Sequence, residues 1–564
     1  MILLPQHSPQ IQGGSMFSFL AKLQYRLLSI SFLAVMTLAS VVCADERPNI
    51  VFAFADDWGR HASAYAELDG PGSENDVLKT PNFDALAKSG VLFRNAFVNA
   101  PSCTPCRSSI LSGQHFWRTN TGAILQGAVW DDSIPAWPLL LEKSGYHIGF
   151  TWKVWSPGTP RDAPYGGSIN AFAKQGSTFN RFSQTATKLI KSGKTTEEAK
   201  QELLNQVRGN FHDMLAAREE GQPFAYWFGP TNVHRKWTKG SGKDLWGIDP
   251  DELKGKLPPF LPDVAEVRQD FSDYLGEALG FDAALGVLVE ELKKSGQFEN
   301  TIIVVSGDHG PAGFPHGKCN LYDFGTRVAL SISGPGVVGG RVVEDFVTLP
   351  DVAPTFLQAG KTEVPDVMTG KSIWPTLTGE KDGLVDPSRT QVFIGRERHV
   401  AAARAGGLPY PQRAIRTKDH LFIINFKPQR YPLGDPYHLD TDKEPDVKQL
   451  TTNTFGTLPD EDAGPTKAWI VSNRNDPEVK PFFEHAYGKR PGEELFDLSC
   501  DPHQMNNVVE DEDYAGIAAE LRERLMQELE STNDPRLVDD GKFFETPPMA
   551  GPWVDERKKK KGKK

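Results

Sequence analysis

The apolar positions of this chain fall into short, nearly continuous runs that stop abruptly at polar or charged residues. The first run spans residues 48–55 and ends at Asp56 and Asp57. Runs of this kind are typical of strands buried on both faces of a sheet, which occur where helices cover the sheet. Comparable runs predict further strands at 91–98, 146–153, 224–228, 301–306 and 327–333.

Segments with helical signals lie between several of these strands. A short helix is predicted from Thr80-Pro81 to Gly90, another from about Pro135 to Ser144, and a long amphipathic helix at 274–294. Alternating helices and strands predict an α/β fold with a doubly wound sheet. Because open sheets of this type bind ligands beyond the carboxyl ends of their strands, polar residues at those ends are candidate site residues.

The pattern changes near residue 389. Short strand-like runs at 392–394 and 420–424 lie among many Pro and Gly residues, and a helix is predicted near 515–532. We therefore predict an N-terminal domain at 45–388 and a smaller C-terminal subdomain at 389–545. Residues 546–564 are predicted to be a basic tail whose final charge run, 557–564, is disordered, with attachment to a surface or a polyanion as the alternative.

Length and composition are those of an ordinary globular protein. The 564 residues are 39% hydrophobic and 24% charged, which leaves room for a large core and two domains. The formal net charge is -11. This acidic balance argues against general nucleic-acid binding.

Residues 1–44 have the pattern of a secretory signal peptide. Lys22 and Arg26 precede an uncharged run from Leu27 to Val42, and cleavage is predicted after Ala44. An uncleaved membrane anchor is the alternative, although the run is near the lower length limit for a span. We expect a periplasmic or secreted protein with no stable membrane insertion after cleavage.

The most informative stretch is Cys103 to Gly113, which reads CTPCRSSILSG. Pro105 suits the first turn of a helix, so Cys103 is expected at or just before a helix N-terminus, where an anion is stabilised. Arg107, one turn later, can direct its guanidinium to the same place. The alternatives are a redox or zinc-binding pair of Cys103 and Cys106, or two buried cysteines, but no second C-x-x-C or paired-histidine motif completes a zinc site.

This stretch resembles the signature of the type I sulfatases, C-x-P-x-R followed by Leu, by Ser or Thr, and by Gly, and every required position is present. The family belongs to the alkaline phosphatase superfamily, so the resemblance implies a doubly wound mixed sheet flanked by helices, with a smaller C-terminal α+β subdomain. It also implies that a maturation enzyme oxidises Cys103 to formylglycine. The implied activity is hydrolysis of a sulfate ester or sulfamate on a sulfated glycan.

The resemblance further implies a Ca²⁺ site. Its ligands would be two acids after the first strand, two residues after a later strand, and the modified cysteine: Asp56, Asp57, Asp308, His309 and Cys103. Three carboxylates are hard oxygen ligands, which favours Ca²⁺ over a transition metal. Many relatives carry Asn at the position of His309, and imidazole is a poorer calcium ligand.

Three more positions match the sulfate-binding and leaving-group residues of the family, namely Lys153, His234 and Lys318. Together with Arg107, the two lysines are expected to balance charge on the sulfate oxygens, while His234 protonates the leaving group. This chain departs from the family at Trp155, because relatives commonly read Lys-x-His there. One leaving-group donor is therefore missing or supplied elsewhere.

Segments 413–417, 425–428 and 494–498 are similar to those of heparan N-sulfatase (sulfamidase) relatives, which implies N-sulfoglucosamine as a substrate. We predict that Arg396, Arg398 and Arg404 line a pocket for an acidic sugar, with surface arginines on a loop as the alternative. Three other functions stay open at this point: an O-sulfatase, a phosphoesterase or phosphonate hydrolase of the same superfamily, and a non-catalytic binding protein. Bound zinc in place of calcium would indicate the phosphoesterase or phosphonate hydrolase. An intact thiol at position 103 would indicate the non-catalytic binding protein.

Overall fold

A computed structural model describes residues 47–552, together with Met1 and residues 6–8. The predicted signal peptide and the final basic run lie almost entirely outside these residues, so both stay predictions. Among the described residues, 47–219 and 223–552 form one compact unit. Within the described part, no helix combines the length and the apolar character that a bilayer span requires.

Seven strands within residues 47–552 form one sheet, in the order β3-β4-β1-β5-β6-β2-β7. Their bounds are β1 Asn49–Ala55, β2 Val91–Phe97, β3 His147–Trp152, β4 Phe224–Gly229, β5 Thr301–Gly307, β6 Leu330–Ser333 and β7 Arg341–Thr348. Strand β6 is antiparallel to both of its neighbours, and the other pairs are parallel. The sheet is therefore mixed, as the resemblance implied.

Successive side chains of β1 enter two different cores, which explains its unbroken apolar run. Val51 and Ala53 pack in one cluster, whereas Ile50, Phe52 and Phe54 pack in another. Because neighbouring residues of a strand point to opposite faces, a sheet covered by helices on both sides needs apolar residues at every position. The expectation of a doubly wound α/β sheet is confirmed.

Helices surround this sheet and continue into the C-terminal region. Their bounds are α1 Ser63–Asp69, α2 Pro81–Ser89, α3 Cys103–Ser112, α4 Trp137–Lys143, α5 Phe182–Lys191, α6 Thr196–Ala217, α7 Ser241–Trp246, α8 Ala265–Lys294, α9 Asp323–Thr326, α10 Val352–Ala359, α11 Trp374–Thr378, α12 Val447–Thr452, α13 Pro465–Ser472, α14 Lys480–Tyr487, α15 Ala515–Ser531 and α16 Lys542–Glu545. The predicted helices at 80–90 and 135–144 correspond to α2 and α4. The long helix α8 begins before the predicted residue 274 and is buried on nearly all sides over 270–282, because other helices pack against it.

A second, smaller sheet follows, with strand order β11-β10-β9-β8 among the described residues and antiparallel pairing throughout. Its bounds are β8 Gln391–Arg396, β9 Gln412–Thr417, β10 His420–Asn425 and β11 Glu493–Asp497. Together with α15 this is the expected C-terminal α+β element. Its core cluster also contains Phe116 and Trp117, which follow α3 in the chain. The exact boundary at residue 388 stays a prediction.

Strand register brings the polar strand ends together. Ala55 of β1 pairs with Gly307 of β5, and Phe228 of β4 pairs with Ala53 of β1 and with Thr151 of β3. Four neighbouring parallel strands therefore end at the same edge of the sheet. The residues that follow them form the site described next.

Candidate active site

Helix α3 begins at Cys103 itself, and every residue of the helix is buried. The Cys103 thiol lies 3.6 Å from Asp56 Oδ1 and 3.4 Å from His309 Nε2. At the other end, Gly113 adopts φ 65° and closes the helix through its N–H to Ser109 O. The predicted placement of Cys103 at a helix N-terminus is observed.

Arg107 joins two of the acids that end neighbouring strands. Its Nε donates to Asp308 Oδ2 at 3.0 Å, and its second terminal nitrogen donates to Asp56 Oδ1 at 3.1 Å. Its remaining nitrogen donates to the carbonyl of Lys153 at 3.1 Å. Since the guanidinium is fully buried, the planar fork holds the ends of β1, β3 and β5 in one arrangement.

Two lysines and one histidine complete a group of charged residues, called here the charged centre: Asp56, Asp57, Asp308, Arg107, Lys153, Lys318 and His234. Lys153 Nζ donates to Asp56 Oδ1 at 2.5 Å, and Lys318 Nζ donates to Asp57 Oδ1 at 3.1 Å. Lys318 also donates to His234 Nε2 at 3.3 Å. Because His234 Nδ1 donates to the carbonyl of Arg235, its Nε2 is the nitrogen that faces the site.

The three acids respond differently to this surrounding charge. Burial opposes ionisation of Asp56, but Lys153 and then Arg107 hold the pKa of its carboxyl well below the usual range. Burial likewise opposes ionisation of Asp57, and His234 and Lys318 lower its pKa. At Asp308 burial prevails and raises the pKa. The centre thus holds at least two firmly ionised carboxylates in a water-poor setting.

Unmodified Cys103 is poorly suited to be a thiolate nucleophile. Burial, and then the nearby Asp56 carboxylate, raises the pKa of its thiol. Reactive cysteines need the opposite, a thiol whose pKa is lowered by neighbouring cations. Cys103 and Cys106 are both present as free thiols, so the pair forms no disulfide here.

The residues present fit a metal ion. Ligand atoms of three overlapping groups lie within 4.8 Å of one another: Asp57, Cys103 and His309; Asp56, Cys103 and Asp308; Asp56, Asp57 and His234. His309 Nδ1 donates to the carbonyl of Gly310, so its Nε2 carries the lone pair in the neutral ring. That Nε2 faces Asp57 Oδ1 at 3.4 Å and Asp308 Oδ1 at 3.6 Å. The lone pairs of His309 Nε2 and of these carboxylate oxygens point to one place, where a bound cation would be stabilised by them.

Trp155, where the chain departs from the Lys-x-His pattern, is directed into the core. Its indole N–H donates to Ser108 Oγ at 2.8 Å, and the side chain is fully buried. Trp155 therefore supplies no donor to the charged centre. Any second leaving-group donor has to come from another part of the chain.

The structure corrects both predictions made for Arg396, Arg398 and Arg404. They do not lie free in a pocket for an acidic sugar, and they are not surface residues. All three are buried, at 2–3% exposure. Arg396 and Arg404 donate to Asp460 Oδ2 at 2.5 and 2.9 Å, and Arg398 donates to the carbonyls of Gln126 and Gly551. Arg396 and Arg404 are thus ion-paired with an internal acid, and the terminal nitrogens of Arg398 are used by backbone carbonyls, so all three hold loops together.

The cavity beside the charged centre has a volume of about 460 Å³. Its lining residues are Asp56, Lys153, Asn180, Arg181, Gln184, Thr231, His234, Arg235 and Lys236. Arg181 and Lys236 are exposed, so they bring positive charge to this cavity, the role that sequence reasoning gave to the buried arginines. Asp462 is another residue of this region that the sequence does not predict, and its Oδ2 lies 3.6 Å from Lys318 Nζ. Neither Arg181 nor Asp462 follows a strand or belongs to a motif, so no local signal marks them.

We expect Arg396→Ala to lower the free energy of unfolding by about 3–5 kcal/mol, because it removes one of the two arginines that pair with buried Asp460. Arg181→Ala is the matched control at an exposed arginine. It should change stability by less than about 0.5 kcal/mol while raising KM for a sulfated sugar. Urea unfolding and steady-state kinetics of both variants test this pair. If Arg396→Ala is as stable as the wild type and has a raised KM, Arg396 binds the sugar after all.

Comparison with known proteins agrees with this geometry. A family model described as Sulfatase matches residues 48–362, which is more than half of the chain. The N-sulphoglucosamine sulphohydrolase of Homo sapiens is 26% identical over 515 residues, covering 88% of this chain and 92% of the relative.

Two solved structures share the fold at 18% identity. One, in complex with its substrate D-glucosamine-2-N,6-O-disulfate, has a TM-score of 0.55 and covers 88% of this chain and 99% of that one. The other, a phosphonate monoester hydrolase from Silicibacter pomeroyi, has a TM-score of 0.54 and covers 87% and 97%. At this identity the likeness shows the fold alone. The extent of the family match shows that the chain belongs to the sulfatase family, whose members are hydrolases of sulfuric esters and sulfamates.

Proposed function

We propose that this enzyme hydrolyses the sulfate of a sulfated glycan with a formylglycine made from Cys103 and a bound Ca²⁺. One observation carries the proposal: Cys103 begins helix α3 within reach of Asp56 and His309, while Arg107 bridges Asp56 and Asp308. When present, hydrated formylglycine supplies an oxygen nucleophile and Ca²⁺ polarises the sulfate oxygens. Asp56, Asp57, Asp308 and His309 would hold the ion together with residue 103. Oxygen-rich ligation favours calcium.

The remaining charged residues would manage the charge of the sulfate. Lys153 and His234 line the cavity beside Asp56, and Lys318 lies next to His234. Fixed cations in a buried site stabilise charge on the sulfate oxygens without having to reorient. His234 presents Nε2 toward the site, so once that nitrogen has taken up a proton it is placed to pass the proton to the departing oxygen or nitrogen.

The proposed substrate is an N-sulfated or O-sulfated glucosamine at the end of a heparin or heparan fragment. The cavity of about 460 Å³ is of the size that commonly holds small ligands, roughly 300–1,000 Å³. The sulphohydrolase relative and the neighbour solved with a disulfated glucosamine both act on such sugars by name. These likenesses support this sugar class ahead of others.

A panel of sulfated sugars tests this proposal. We expect sulfate release from N-sulfoglucosamine, which would support a sulfamidase, and the same panel should contain glucosamine 6-O-sulfate and sulfates of galactose and fucose. Release from the 6-O-sulfate alone would make the enzyme an O-sulfatase. Release only from galactose or fucose sulfates would refute the glucosamine assignment and leave the reaction type standing. Cys103→Ala protein from the same preparation controls for contaminating sulfatase.

A phosphonate or phosphate ester hydrolase is the second candidate, because the phosphonate monoester hydrolase neighbour has the same fold. Metal analysis separates the two functions, since zinc would favour the phosphoesterase and calcium the sulfatase. We also propose that residues 1–44 direct export and that a maturation enzyme converts Cys103 to formylglycine. The charge and apolar pattern of the first 44 residues supports the first of these steps.

A further inference from the structure

Asp462, in the C-terminal part of the chain, is a carboxylate that lies next to Lys318 at the edge of the charged centre. This residue lies in the loop before α13, and its Oδ2 is 3.6 Å from Lys318 Nζ. Burial opposes its ionisation, yet Lys318, then His234 and His399, hold the pKa of the carboxyl well below the usual range. Asp462 is therefore a negative charge at the border of a centre rich in cations.

The loop that carries Asp462 is held by contacts that do not involve Asp462 itself. Lys467 is buried, and its Nζ donates to three loop carbonyls, those of Thr457, Leu458 and Glu461, at 2.7–3.0 Å. Asp460 accepts hydrogen bonds from Arg396 and Arg404 and from the backbone N–H of Val400. A side chain presented by a loop with this many fixed points is pre-organised for a specific contact.

The chemistry assigned so far does not use Asp462. It belongs to none of the groups able to hold a metal ion in the described part of the chain. Lys318 already has a nearer carboxylate partner in Asp57, at 3.1 Å. The Oδ2 atom of Asp462 is buried and accepts no hydrogen bond from any described residue. An ionised oxygen without a donor is costly in a buried setting, and a ligand that brings a donor removes that cost.

We propose that Asp462 recognises the sugar ring of the substrate by accepting a hydrogen bond from a ring hydroxyl or amino group. The inference rests on the proposed sulfatase function. A sulfate group brings no donor and is repelled by a carboxylate, so the matching part of the substrate is the sugar. Lys318, between Asp57 and Asp462, separates the sulfate-binding side of the site from this sugar-binding side.

Kinetics of Asp462→Ala and Asp462→Asn on two substrates test the proposal. N-sulfoglucosamine carries ring donors, whereas 4-nitrophenyl sulfate has no sugar hydroxyl or amine. We expect kcat/KM for the sugar to fall at least about tenfold more than kcat/KM for the aryl sulfate, mainly through KM, since a lost sugar contact weakens binding. Equal losses on both substrates would mean that Asp462 acts only through Lys318. That result, or no loss on either, would overturn the proposal.

Binding of the product glucosamine gives a test without turnover. Titration followed by calorimetry should show that Asp462→Ala weakens glucosamine binding at least about tenfold. Asp442→Ala removes an exposed acid of the same region and should leave binding unchanged. If the wild type releases no sulfate but its glucosamine binding depends on Asp462, the proposed function fails and the recognition stands. Equal binding by wild type and Asp462→Ala, or no binding by the wild type, would overturn the recognition.

Discussion

Cys103→Ala is expected to lower kcat by at least about 10⁴-fold, because it deletes the side chain from which the proposed nucleophile is made. The fold should persist, since a small residue at the first position of α3 changes stability by only about 1 kcal/mol. Peptide mass spectrometry of active wild-type protein should show residue 103 about 18 Da lighter than cysteine, as the aldehyde requires. Activity should rise in proportion to that modified fraction.

Cys106→Ala is the matched control. Cys106 lies one turn further along the same helix, is fully buried in a hydrophobic cluster and belongs to no described group of metal-binding atoms. Its replacement should keep catalysis in the folded protein. Comparable losses in both variants would instead favour a redox role for the pair. Fully active protein with an intact thiol at position 103 would defeat the formylglycine mechanism.

Asp57→Asn should weaken Ca²⁺ binding on the order of 100-fold and remove most activity, because affinity for this ion depends on the number of charged oxygen ligands. Asp57 is fully buried, and its Oδ1 faces His309 Nε2 at 3.4 Å, so water is poorly placed to replace the lost charge. Calorimetric titration of Ca²⁺ into chelator-treated protein measures the effect directly. It requires neither a modified Cys103 nor a substrate.

Asp462→Asn serves as the control for the metal, because Asp462 also pairs with Lys318 but belongs to no described group of metal-binding atoms. Its Ca²⁺ affinity should stay within about threefold of the wild type, since the ligand charge count is unchanged. A similar loss in both variants would show that Lys318 controls affinity through its charge. Full activity after removal of all metal would reject the calcium assignment.

Much of the fold is predictable because its signals are local. A strand buried on both faces has to be apolar at every position, so β1 and β4 stand out in the sequence, and the acids that follow β1 and β5 mark the site. Strand β7 and helix α6 were not predicted. The helix mixes many charged residues with its buried ones, and the apolar residues of β7 are interrupted by Glu344 and Asp345, so neither has a continuous apolar run.

The proposed catalytic centre is readable from the sequence, because its signature from Cys103 to Gly113 is continuous and its other residues follow parallel strands, which strand register brings to one edge of the sheet. Which of the charged side chains remain available to a ligand follows from the packing of the folded chain. Arg396 and Arg404 both pair with Asp460, more than fifty residues away in the chain, whereas Asp462 Oδ2 accepts no hydrogen bond from a described residue. The physical reason is that burial and ion pairing depend on neighbours distant in sequence, and no local pattern of residues encodes them.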